Sequence, residues 1–300
     1  CMSSAEIMAC LFFDEMKYDV KDASNPDNDE FILSKGHAAP IWYSCLKHAG
    51  AIGYDLEKLR DFDSPLEGHP MPSSLKWAKV GTGSLGQGLG VGCGMALAAK
   101  LDKRNYRTYV LIGDSELAEG SVYEAIGFAE HYKLNNLTAI VDVNRLGQSG
   151  ETMHGHDVKR YEKIFSSFGW HVLRVNGHDV KQLLRAFARC RESKKPSVIL
   201  AKTFKGRGVS FLENKNGWHG KALDDEMLKR ALNEIGNVNF PGFSIVKPKS
   251  IERKNKVSGL KLNKYKKGEK IASREAYGKV LASLAISNSK VLAIDAETGN

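Results

Sequence analysis

From Thr108 onward, short apolar runs alternate with helical patterns, and this alternation constrains the fold more than any other feature of the chain. Residues 108–112 read TYVLI and stop at Gly-Asp; residues 137–143 read LTAIVDV and stop at Asn144. Residues 170–175 and 197–203 are two more runs of this kind. Runs so short and so apolar suit strands that a parallel sheet buries on both faces. Between them, 121–132 and 180–191 have helical patterning, and Ser121 with Glu124 is spaced as a capping box. Strands alternating with helices predict an α/β fold: a parallel sheet with helices on both faces. Helices are also expected over 5–16 and 39–49, and over a stretch of small residues that runs to Leu101. The Asn/Asp-rich segment around Pro26 is expected to be a loop.

Charge bears on partners. The chain has 300 residues, room for roughly two domains. Its formal net charge is +9, but residues 247–270 hold ten Lys/Arg and two Glu and so carry +8 of it. That segment has one aromatic residue, Tyr265, and lacks the interleaved rings on which single-stranded bases stack, so no nucleic-acid partner is expected. It reads as a basic linker over 241–270, between a first domain at 1–240 and the start of a second α/β domain at 271–300. In the latter a helix over 273–285 and a strand over 291–295 (VLAID) are expected. One helix and one strand cannot make a core, so this domain is expected to be truncated. The first residue is Cys rather than Met, and the first domain is expected to be incomplete at its N-terminus. No window holds about 18 apolar residues, so no membrane-spanning helix is expected. The five cysteines (1, 10, 45, 93 and 190) are odd in number and without CxxC spacing. This argues against a disulfide framework and a zinc site; they read as reduced thiols of an intracellular protein.

Four segments carry chemistry. Glycine fills seven of the fourteen positions from Gly81 to Gly94. Close approach of backbone to a ligand and tight helix packing both account for it, and both can hold together. Asp114 follows one buried run and Asn144 the next, so both fall at carboxyl ends of adjacent parallel strands, where α/β sheets bind ligands. With a nearby carbonyl they offer the mixed oxygen set that Mg²⁺ or Ca²⁺ takes. His37, His69 and His219 stand beside glycines in loops, where a side chain is free to face a ligand. The other six histidines read as structural or surface residues. Residues 202–208 (KTFKGRG) set cations among glycines at a strand end, which suits a phosphate or an ordinary solvated loop.

Together these motifs resemble the transketolase family of thiamine diphosphate enzymes. The likeness rests on SKGHAAP (34–40), GHP (68–70), TGSLGQGLG (82–90), GDSELAEGSVYEA (113–125), DVNRLGQS (142–149), AKTFKGRG (201–208), WHGK (218–221) and KIASREAYG (270–278). It runs in order along nearly the whole chain, in wording closer to animal members than to bacterial or plant ones. The resemblance implies a diphosphate-binding domain followed by a pyrimidine-binding domain. It implies a homodimer with thiamine diphosphate shared between subunits, acting in the cytoplasm on sugar phosphates of the pentose phosphate pathway. The implied reaction moves a two-carbon ketol unit reversibly from a ketose phosphate to an aldose phosphate.

By the same resemblance, Asp114, Asn144 and the Leu146 carbonyl would hold Mg²⁺ or Ca²⁺. His37, Gly83, Ser84, Leu85, Ser115, Asn144, Lys205 and His219 would contact the cofactor. His37, His69 and His219 would serve catalysis, with His69, His219 and Arg274 toward the substrate and Glu119 at the dimer interface. Three departures stand out. Ser115 replaces a family glycine, so backbone strain and weaker cofactor binding are expected. A further histidine segment is expected before Cys1. The glutamate that serves the pyrimidine ring is expected beyond Asn300, so the chain alone is expected to be inactive. The alternatives are another thiamine diphosphate enzyme, such as a 1-deoxyxylulose-5-phosphate synthase-like protein, or a non-catalytic relative.

Overall fold

The apolar runs pair into one sheet. The strands are β1 (Glu30–Leu33), β2 (Thr108–Gly113), β3 (Leu137–Val143), β4 (His171–Asn176) and β5 (Ser197–Lys202). In the computed structural model, which describes residues 1–237, 242–252 and 257–295, all are parallel in the order β1-β2-β3-β5-β4. Thr108 lies opposite Leu137, and Thr138 opposite Ser197, so the carboxyl ends of the central strands share one edge.

Alternation along the strands sorts the core into two layers. Tyr109, Leu111, Ile140 and Ile199 face α1 (Ala5–Cys10), α2 (Ala39–His48) and α6 (Val180–Glu192). Val110, Ile112, Val141 and Leu200 face α3 (Gly88–Leu101), α4 (Gly120–His131) and α5 (Val158–Ser167). Burial on both faces of β2, β3 and β5 explains their continuous apolar runs, whereas β4, at the sheet edge, is only partly buried, against expectation. Asp157 and Asp179 cap α5 and α6 by accepting the backbone N–H groups of Arg160 and Gln182. The parallel sheet with helices on both faces is thus the observed architecture.

Several local expectations are corrected. The helix expected over 5–16 is α-helical to Cys10 and then opens into a π-helical turn, Leu11–Glu15. That turn carries buried Glu15 to the Tyr109 hydroxyl at 2.7 Å and to Arg191. Ser121 is no cap: Glu119 occupies the cap position of α4, and the Ser121 hydroxyl donates instead to the Gly86 carbonyl at 2.9 Å. All five cysteines are free thiols, four of them buried and Cys1 exposed. β1 is a strand of four residues after a polar loop, too short to show a period. A helix at Asp225–Ile235, α7, was also unexpected, although Asp224 caps it by accepting the Met227 N–H.

The chain divides into two compact units, Cys1–Lys249 and Ser250–Asn300. The second contains α8 (Ser273–Ser287) and an antiparallel bridge from Val257 to Asn288. The strand expected over 291–295 does not form; among the described residues of this unit no strand is present to pair with it. Residues 241 and 253–256 of the expected linker, and 296–300 of the expected second domain, lie outside the described residues.

The glycine-rich helix α3 gives a test. A Cβ on Gly92 would sit 2.4 Å from a methyl of Val110 on β2, whereas one on Gly94 would meet nothing within 4 Å. Gly92→Ala is expected to lower stability by about 1–3 kcal/mol through overpacking. Gly94→Ala is expected to raise it by up to about 1 kcal/mol, because alanine propagates helix better. Denaturant melts of the two variants check both signs.

Candidate active site

The carboxyl edge of the sheet is held by a buried carboxylate. Asp142, near the end of β3, accepts from the Lys35 ammonium at 2.5 Å, from the Ser3 hydroxyl at 2.7 Å and from the Thr203 hydroxyl. The Asn144 amide donates to the same carboxylate at 3.2 Å. Burial alone would raise its pKa; the Lys35 charge and these hydrogen bonds outweigh burial and hold the carboxyl below the usual range. One residue thus ties the ends of β1, β3 and β5 together.

Asp114, one residue past β2, is set differently. It accepts the backbone N–H of Ser115 at 3.0 Å and of Arg145 at 2.6 Å, and the Thr152 hydroxyl at 3.3 Å. Burial first, then the nearby charge of Asp142, pushes its pKa up to about 6. Beside it, Leu146 N–H donates to the Asn144 side-chain oxygen at 3.1 Å. The Leu146 and Gly147 carbonyls accept from the Lys205 ammonium at 3.0 and 3.1 Å. Carboxylate, carboxamide and carbonyl oxygens side by side are the donor set of a hard divalent cation. The Lys205 ammonium drawn onto these carbonyls is a positive charge already held at this place. Among the described residues no group of three or more His, Cys, Asp or Glu could hold a metal ion.

Three loops meet over this edge. Gly83 has φ +137° and Gly86 has φ +83°, conformations that side chains rarely adopt. A Cβ on Gly83 would press on the His69 ring at 3.3 Å. A Cβ on Gly36 would lie 2.5 Å from the Thr82 hydroxyl and 3.0 Å from Gly83 N. The Thr82 hydroxyl is buried with no hydrogen-bond partner, an oxygen turned into a backbone cradle. The glycine run therefore serves both purposes: Gly83 and Gly86 shape the loop, whereas Gly88 and Gly92 let α3 pack against Ser34 and Val110.

Glu116 fixes this cradle, and sequence reasoning missed it. It is 1% exposed, accepts the backbone N–H of Gly86 at 2.8 Å and of Gly113 at 3.1 Å, and receives the Ser34 hydroxyl. One carboxylate thereby joins the glycine loop to the ends of β1 and β2.

The histidines gather at the same edge. The rings of His37 and His219 lie 4.8 Å apart. Burial, then Lys35 and His219, keeps the His37 imidazole below its ordinary pKa, although one side of the residue is open to solvent. Burial, then Lys205 and Lys35, does the same for His219. Both shifts favour the neutral imidazole. The Lys205 ammonium, which can only donate, lies 3.0 Å from His219 Nδ1, so the ring proton of His219 is on Nε2.

The structure brings His37, His69, His219, Gly83, Asp114, Asn144, Leu146 and Lys205 to this edge. Ser84 is exposed and Leu85 half-buried in the glycine loop. Ser115 does not have the expected strain: it opens a 3-10 turn, Ser115–Ala118, and has no left-handed backbone. Glu119 is exposed and lies against Gly86. Arg274 belongs to the second unit, exposed near the start of α8. Of the histidines set aside, His156 Nε2 pairs with the Thr203 carbonyl, and His178 Nε2 accepts the Phe204 N–H.

Two predictions follow from this geometry. Glu116→Ala strands two buried N–H groups and is expected to cost about 2–5 kcal/mol in a denaturant melt. For Asp114 the folded pKa of about 6 lies above the ordinary carboxylate value. Its contribution to stability is therefore present at low pH and lost as pH rises through 6. In metal-free buffer, lowering pH from 7.5 to 5 should favour wild type over Asp114→Asn by about 1–3 kcal/mol. A difference independent of pH would refute the assigned shift.

The family model "Transketolase, thiamine diphosphate binding domain" matches residues 1–285. Human transketolase is 46% identical over 308 aligned residues, covering 100% of this chain and 49% of the relative. Mouse transketolase-like protein 2 is 47% identical with the same coverage. The chain spans about half the length of the curated relatives it matches. Among solved structures, transketolase from Campylobacter jejuni superposes with a TM-score of 0.72 at 32% identity, over 81% of this chain and 40% of that one. Pichia stipitis transketolase in complex with sedoheptulose-7-phosphate gives a TM-score of 0.67 at 28% identity, over 78% and 39% of the two chains.

Proposed function

The chain belongs to the transketolase family, and from that membership we propose that it supplies the diphosphate- and metal-holding half of a thiamine diphosphate site. The reaction is the reversible transfer of a two-carbon ketol unit from a ketose phosphate to an aldose phosphate. The observation that carries this reading is the meeting of the oxygen donors, the glycine cradle and two neutral histidines on one sheet edge. The sedoheptulose-7-phosphate complex of the Pichia stipitis relative supports the substrate class.

Asp114, Asn144 and the Leu146 carbonyl hold Mg²⁺ or Ca²⁺. Gly83, Ser84, Leu85, Ser115, Asn144, Lys205, His37 and His219 would contact the cofactor. Thiamine diphosphate, when bound, supplies the electron sink for breaking a carbon–carbon bond beside a ketose carbonyl. With its proton on Nε2, His219 donates a hydrogen bond to a sugar hydroxyl or a developing alkoxide. His37 and His69 can each hold or pass a proton there. Arg274 binds the sugar phosphate. A second copy completes the site in a homodimer, with Glu119 at the interface. No helix among the described residues is long and apolar enough to cross a membrane. We place the protein in the cytoplasm, in the pentose phosphate pathway.

Calorimetry of the 300-residue chain with thiamine diphosphate and Mg²⁺ tests the reading. Saturable binding that EDTA removes is expected, weakened about tenfold or more in Asp114→Ala. The isolated chain should show no turnover of a ketose and aldose phosphate pair. A folded chain that does not bind would overturn the cofactor assignment and favour a non-catalytic relative. Turnover by the isolated chain would overturn the division of the site.

A further inference from the structure

We propose that Arg145 is a positioning residue that docks the loop bearing Lys205 and His219 onto the metal-holding loop, through Asn214. The inference rests on the reading above of Asn144 and Leu146 as metal-holding residues, between which Arg145 stands. Its backbone is left-handed, with φ +62°, in a region where non-glycine residues are uncommon. This turn brings the Arg145 N–H onto Asp114 at 2.6 Å.

Glycine would adopt that conformation without cost, but arginine adds a planar fork. Its Nε donates to the Asn214 side-chain oxygen at 2.8 Å, and Nη2 donates to the Asn214 carbonyl at 3.2 Å. Nη1 also lies 3.4 Å from Glu151. Asn214 is left-handed too, with φ +58°, and its N–H donates to the Lys205 carbonyl at 2.8 Å. A chain of hydrogen bonds therefore runs from Asp114 through Arg145 and Asn214 to the backbone of Lys205.

A second link joins the same loops: the Lys205 ammonium on the Leu146 and Gly147 carbonyls. The two links differ in what a cation does to them. A divalent ion at the Leu146 carbonyl meets the Lys205 ammonium as a like charge and weakens that link. The Arg145 fork points at Asn214, away from those carbonyls, and remains. Arg145 keeps His219 in place while the charge beside Lys205 changes.

Left-handed backbone at both positions makes the test clean. Arg145→Gly removes both bonds to Asn214, whereas Asn214→Gly removes the bond to its side-chain oxygen and keeps the carbonyl; neither strains its turn. Amide hydrogen exchange of the cofactor-free chain is expected to quicken about tenfold across 205–219 in Arg145→Gly and by less in Asn214→Gly, with β2 and β3 unchanged. The double variant should exchange no faster than Arg145→Gly, because that change already breaks the whole link. Arg145→Lys should not restore protection, since an ammonium cannot reach both Asn214 oxygens as a fork. Affinity for thiamine diphosphate with Mg²⁺, by calorimetry, should fall by a similar factor. Unchanged exchange across 205–219, or additive effects, would overturn the proposal. A wild-type chain that fails to bind thiamine diphosphate would instead strike the cofactor reading, while the exchange arm still decides the docking.

Discussion

Asp142 has no contact with water, so its charge must be met inside the protein. Lys35 meets it, and that pairing explains much of the surrounding chemistry. A buried ion pair gains stability only if further hydrogen bonds complete it, and Ser3, Thr203 and Asn144 do so here. The pair sets the field around it. Burial is the first cause of the raised pKa of Asp114 and the lowered pKa of His37; the carboxylate end adds to the rise and the ammonium end to the fall. The pair thus reinforces what burial begins at both residues.

Glu116 does for shape what Asp142 does for charge. The glycine loop has no side chains with which to hold itself, so its conformation must be imposed. Two left-handed glycines would cost conformational entropy in a free loop. Hydrogen bonds from Gly86 and Gly113 to one carboxylate, with Ser121 holding the Gly86 carbonyl, fix the loop from both sides. The same anchors explain why α4 starts with Glu119 rather than Ser121 at its cap. The serine hydroxyl does more by holding a loop than by ending a helix.

What could be read from the sequence follows from which interactions leave a local trace. β2, β3 and β5 leave one, because burial on two faces demands unbroken apolar runs. β1 leaves none; four residues show no period, and it is a strand only because β2 lies beside it. Asp114 and Asn144 were legible because parallel strands put ligands at their carboxyl ends. The histidines and Lys205 came from resemblance more than from chemistry, since a histidine beside a glycine has many uses. Glu116 could not be found this way. In SELAEG it reads as one more solvated acid, and its role depends on Ser34, Gly86 and Gly113, up to 82 residues away. Arg145 was hidden for a related reason: its left-handed backbone is a tertiary outcome that composition does not encode. The strain expected at Ser115 failed in the opposite direction, because a family glycine need not mark a left-handed turn.

The exposure of the site residues bears on how the site can work. Asp142, Glu116 and Lys35 are buried, whereas His37, His69, Gly83 and Ser84 are open to solvent. The edge is thus a firm base beneath an open surface: groups that set charge and shape lie inside, and groups that would meet ligand lie outside. Carbon–carbon bond chemistry needs water excluded from reactive intermediates. For the proposed reaction, a second wall closing over this open one would do so. In the proposed homodimer a second copy supplies that wall. The buried groups keep this wall's geometry fixed before the other arrives, which lowers the ordering cost of assembly. Rigid support beneath and open contact above is what half of a shared site requires.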